Sequence, residues 1–234
     1  MADFSALQTR VNRRVIDLPA AVTAEVNLLI NAAIRTLERK HEFKVNEAET
    51  VALLTVAAQR TLATAVPTDY LRARGKPRLI EDGGGDKRMV WLSSRQAARD
   101  QYTDSDTPET GEPEALLDPE PTEAGVRTFE VYPFSDSNSD YTGGEYRIRV
   151  PYWRTLTALS ADGDSNWFTT NAEEYIVAQA SSEAFLLDWD EERAAVWATR
   201  GNVHFQEVIS TDKLFRLGAV DTWVPSLDAG GPER

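Results

Sequence analysis

The chain has 234 residues, 41% hydrophobic and 27% charged, as expected for a soluble globular protein of one or two domains with a substantial core. It has no cysteine and two histidines, His41 and His204, which excludes disulfides, thiol catalysis and a histidine-rich zinc site. A net charge of −13 repels nucleic-acid phosphates on average and argues against sequence-specific DNA binding.

At the N-terminus, "MADFSALQTRVNRR" lacks the layout of a signal peptide. Phe4, Leu7, Val11, Val15 and Leu18 recur at intervals of three and four, one apolar stripe on a helix. Val22, Val26, Leu29, Ala33 and Leu37 repeat the pattern after Pro19, a residue suited to a first helical turn. Together they predict a helical hairpin over residues 1–42.

From Thr50 the pattern changes. "TVALLTV", "QRTLATAV", "PRLIE", "RMVWL", "RTFEVYP" and "EYRIRVPYW" are short and rich in β-branched or aromatic residues, and predict strands. "TVALLTVAA", the most apolar segment, falls far short of the roughly 20 residues of a membrane span. "EDGGGDK" reads as a hairpin turn and "SDSNSDYTGG" as a second turn. In "YRIRV", Tyr146, Ile148 and Val150 alternate with Arg147 and Arg149, as in a half-buried strand. "SSRQAARDQY" predicts a short helix. Residues 103–125 hold four prolines and eight carboxylates, too little apolar content to pack, and are expected to form a flexible or extended acidic insertion.

Tyr175, Ala178, Ser182, Phe185, Trp189, Val196 and Val203 mark a second helical stripe, long enough for one bent helix or for two helices broken near 188–190. Gly218 suits the left-handed residue that closes the last helix. The predicted fold is α+β: a helical bundle from the N-terminal hairpin and long C-terminal helices (158–217), an inserted small antiparallel β domain (43–157) containing the acidic loop, and an extended tail (218–234).

Asp162, Asp164, Asn166 and Glu173 stand at positions 1, 3, 5 and 12 of a twelve-residue window, the spacing of an EF-hand loop. Position 6 requires glycine and holds Trp167, and a strand rather than a helix leads in. The stretch reads instead as an acidic turn followed by a capping box, Thr170 with Glu173. No P-loop, G-x-S-x-G, H-E-x-x-H or G-x-G-x-x-G motif occurs. His41 reads as a helix-end cap and His204 as a surface residue. Arg10, Arg13 and Arg14 form a basic helix face that could meet a neighbouring subunit or phosphates. Leu214, Phe215, Leu217, Val220, Trp223 and Val224 are apolar where the chain leaves its core, and suit either folding back or docking on a partner.

The order of pieces resembles the head-to-tail adaptor (connector) proteins of tailed bacteriophages. The opening hairpin, the step "ATAVPTDYLRAR", and above all "RTFEVYPF…GEYRIRVPYWRTLTALSADGDSNWFTTNAEEYIVAQASSEAFL" carry the resemblance. It implies a structural virion protein at the neck, made in the host cytoplasm. About twelve copies would form a ring beneath the portal, joining capsid to tail and surrounding passing double-stranded DNA. Its implied partners are the portal protein, tail or nozzle proteins and other copies of itself, with no membrane, cofactor, metal or catalytic residue. On this resemblance the apolar segment from Leu214 to Val224 would contact the portal. Two alternatives are another tail-tube or tail-completion component and a hydrolase using paired acids.

Overall fold

The computed structural model describes residues 2–50, 53–80, 85–102, 110–118, 127–136 and 145–217. The chain divides into two compact units, residues 1–45 with 156–234, and residues 46–155. The first is helical and the second is built of small sheets, so the class is α+β.

In the helical unit, α1 (Phe4–Arg14) starts where the Asp3 carboxylate accepts the Ala6 N–H at 2.8 Å. Its stripe of Phe4, Leu7 and Val11 is buried, as are Val15 and Leu18 beyond its end. The second expected helix is two elements, the single turn α2 (Ala20–Thr23) and α3 (Val26–Lys40). α3 buries Val26, Leu29, Ala33 and Leu37. The same helix grips the segment that follows the β unit. The Asn31 amide exchanges hydrogen bonds with the backbone N–H and carbonyl of Leu159, at 2.9 and 3.0 Å. Buried Glu38 accepts the Leu156 N–H at 2.7 Å and pairs with Arg35 at 2.8 Å. A carboxylate this deep requires such donors.

At the C-terminal end, the turn α5 (Trp167–Asn171) leads into α6 (Glu173–Leu187) and α7 (Glu191–Arg216). α6 is buried on almost every side, through Tyr175, Ile176, Val177, Ala180, Ala184 and Phe185. It is packed by α1, α3 and α7, as a helix without a polar face must be. α7 turns only a narrow stripe inward: Ala194, Gly201, Val208 and Asp212. Of the two alternatives the stripe allows, the chain takes the pair of helices broken at 188–190, and Trp189, Val196 and Val203 are exposed and do not continue the stripe.

The β unit contains β1 (Glu47–Glu49), β2 (Leu53–Leu54), β3 (Tyr70–Ala73), β4 (Arg78–Ile80), β5 (Asp86–Arg88) and β6 (Val90–Leu92). After α4 (Arg95–Gln101) come β7 (Thr110–Gly111), β8 (Ala115–Leu117), β9 (Glu130–Tyr132), β10 (Phe134–Ser135), β11 (Arg147–Arg149) and β12 (Pro151–Arg154). One sheet runs β1-β12-β3 and another β2-β11-β4-β5, both antiparallel. In the latter, Ile148 stands between Leu53 and Leu79, a buried cross-strand row. Strands β4 and β5 pair with Ile80 opposite Asp86, as a hairpin through "EDGGGDK" requires; residues 81–84 lie outside the described residues.

Three expectations do not hold. The sheets are not purely antiparallel, because β6 pairs with β8 and β7 with β10 in parallel. "QRTLATAV" is not a strand; it contributes a single bridge, Thr61 to Glu130. The acidic insertion does pack in part: Ala115, Leu116 and Leu117 are all buried in β8, between β6 and β9. Three consecutive apolar residues are enough for a central strand buried on both faces.

Candidate docking surfaces

The EF-hand-like spacing is the entry to the last helices. The Asp164 carboxylate accepts the N–H groups of Ser160 and Ala161 at 2.7 and 2.8 Å, and these bonds lower its pKa. The carbonyls of Asp164 and Asp162 take the N–H groups of Phe4 and Ser5, at the start of α1. Asn166 caps α5, accepting from Phe168 and Thr169, and Thr169 Oγ1 accepts the Asn166 N–H in return. The capping box is therefore Asn166 with Thr169, not Thr170 with Glu173. Glu173 instead joins Glu174 in holding the two arms of the Arg10 guanidinium. Among the described residues, no group of three or more histidines and carboxylates is placed to hold a metal ion.

The three N-terminal arginines serve different ends. Arg10 ties α1 to the first turn of α6, and its hydrogen bonds to Glu174 and then Glu173 raise its pKa. Arg13 is exposed. Arg14 lies over the Trp197 ring at 5.3 Å, and Arg200 lies over the same ring at 4.7 Å. Trp197 lies on the inward stripe of α7, three residues after Ala194 and four before Gly201, and is partly buried against the helical core; Arg200, one turn on, is exposed.

The end of α7 is fastened at Asp212. Its buried carboxylate accepts the Lys44 N–H at 2.8 Å and Arg216 Nε at 2.9 Å, and lies 3.1 Å from His41 Nε2. Burial works to raise this carboxyl's pKa, but the bonds from Arg216, Lys44 and His41 outweigh it and the net shift is downward. His41 is the C-cap of α3, so this cluster joins the ends of two helices. His204 is on α7 beside Glu207, at 2.8 Å. In the turn that follows Asp212, Leu214, Phe215 and Leu217 are 55%, 40% and 76% exposed. Lys44 Nζ is 5.0 Å from the centre of the Phe215 ring. Gly218, Val220, Trp223 and Val224 lie outside the described residues.

The model of the SU10 adaptor protein family matches residues 2–218, from the start of α1 to just past α7. The chain belongs to the SU10 adaptor protein family. No curated protein matches it. The family is one of bacteriophage adaptors, so this adaptor has a structural role in the virion, among portal and tail components. None of its described helices is long and apolar enough to cross a membrane.

Proposed function

We propose that this adaptor assembles as a ring of about twelve copies beneath the portal, joins the capsid to the tail or nozzle, and surrounds the DNA path without catalysing a reaction. The end of α7 is the portal-binding element. Leu214, Phe215 and Leu217 begin it, and Val220, Trp223 and Val224 continue it. The observation that carries this reading is the apolar side chains left exposed in the turn that follows Asp212. A fixed helix end with uncovered leucines and a phenylalanine is suited to a protein partner, because burying them on it removes apolar area from water. The charge of −13 suits a DNA path, where a surface that bound phosphates would slow the passing duplex.

The test is co-sedimentation with the portal ring of the same virus. Leu214→Glu combined with Leu217→Glu should weaken binding at least about tenfold and leave thermal stability unchanged, since both side chains are exposed. Unaltered portal binding by the double variant would overturn the assignment of this helix end.

A further inference from the structure

The turn between α6 and α7 ends α6 with a Schellman motif. The Asp190 N–H reaches the Phe185 carbonyl at 2.9 Å, and the Trp189 N–H reaches the Leu186 carbonyl at 3.1 Å. The residue between the helices must then be left-handed, and Trp189 has φ +60°. Glycine is favoured at this position; a bulky side chain there is strained. Trp189 is also 88% exposed, with Leu186 and Leu187 half uncovered beside it. The fold gains almost no burial from this tryptophan and bears backbone strain for it, and strained positions of this kind gather at functional sites. Tryptophan is prominent among residues that anchor protein interfaces.

The surroundings select the partner. Asp190 caps α7 and pairs with Arg193, but Asp188, Glu191 and Glu192 have no cationic partner among the described residues. The turn is thus an apolar knob within an acidic collar. The same unit carries a basic patch: Arg13 is exposed, and Arg14 and Arg200 share the Trp197 ring and have no carboxylate partner among the described residues. In a chain of net charge −13, uncompensated arginines beside an aromatic ring complement such a knob.

We infer that the α6–α7 turn docks on the Arg13–Arg14–Arg200 patch of a second copy of this chain, with Trp189 as its anchor. The two surfaces differ, so the contact is heterologous, and its repetition builds a ring or a filament. The inference rests on the ring reading above and supplies its subunit contact.

The test uses the full chain, by sedimentation and native mass measurement alone and on the portal ring. Trp189→Gly should weaken association between copies at least about 30-fold while thermal stability holds or rises, because glycine relieves the left-handed strain. Arg13→Glu with Arg200→Glu, and Glu191→Arg with Glu192→Arg, should each assemble at least about tenfold more weakly alone. An equal mixture of the two should assemble again, since each turn then meets a patch of opposite sign. Variants that gather as the natural chain does, or a mixture that fails to recover, would overturn this interface and leave the ring reading standing. Variants that lose only portal binding would assign the turn to the portal instead. A natural chain that never gathers in multiple copies, on or off the portal, would overturn both.

Discussion

In the helical unit one continuous apolar cluster runs through α1, α3, α5, α6 and α7. In the β unit the buried side chains form two smaller clusters, one around Ile148 and Phe129 and one around Ala115 and Tyr132. The β unit adds hydroxyl–carboxylate bonds: Tyr70 donates to Asp118 at 2.7 Å, Tyr146 to Asp136 at 2.6 Å, Tyr152 to Asp69 at 3.0 Å and Tyr132 to Glu130 at 3.0 Å. Strands of two to four residues cannot bury enough apolar area by themselves, and each such bond adds about 1 kcal/mol while keeping a tyrosine body inside. Part of this protein's acidity is therefore used within the fold. Asp118, from the acidic segment, is an example.

The largest expected effect breaks the helical cluster. Phe168 is fully buried, with its ring 5.0 Å from that of Phe43 and 5.3 Å from that of Trp167. Phe168→Ala should cost about 3–5 kcal/mol in urea unfolding; a loss under about 1 kcal/mol would show that the cluster is not what holds this unit.

Alkali should sharpen the contrast from the other side. Desolvation by burial, with the neighbouring carboxylates, pushes Tyr132 and Tyr152 up to about 12 and raises Tyr70 further. A raised folded pKa gives stability that is intact below the unfolded value near 10 and is lost as pH rises through the folded one. Amide exchange should therefore show the β unit losing protection between about pH 10 and 12. Among the described residues the helical unit has one tyrosine raised in this way, Tyr175, and opening of that unit first would contradict the comparison.

A smaller effect is expected at Asp212. Asp212→Asn leaves three donors facing a neutral acceptor and should cost about 1–3 kcal/mol. The lowered carboxyl pKa makes its contribution present above the unfolded value near 3.9 and lost as pH falls through the folded one. The acid sensitivity of the natural chain should diminish in the variant; identical acid unfolding would remove this cluster from the account. The smallest effect belongs to the cap: Asn166→Ala should cost about 1 kcal/mol, read as a lowered Tm.

Most of the helical unit is legible in the sequence because helical periodicity is local. The stripe from Phe4 to Leu18 stands in the fold, whereas the periodicity near 188–190 suits a bend as well as the break that is found. What escapes is non-local or polar. The all-round burial of α6 depends on three other helices. Asn31 and Glu38 look like solvent residues until Leu156 and Leu159 return to them. In the β unit, the row at Tyr146, Ile148 and Val150 is visible by alternation, whereas β8 is hidden because three apolar residues vanish in an acidic window. Parallel pairing of β6 with β8 has no short-range signature at all. Of the candidate site residues, Leu214, Phe215 and Leu217 are exposed, while Arg10 is engaged within its own chain. Spacing alone places Trp189 on a buried stripe, because it cannot show that the helix has already ended.

The most direct measurement is the native mass of this adaptor mixed with the portal ring of its virus. One complex carrying a fixed, multiple number of adaptor copies per ring is expected, lost when residues 214–234 are deleted. A chain that stays free of the ring at concentrations well above those of the mixture would contradict that expectation.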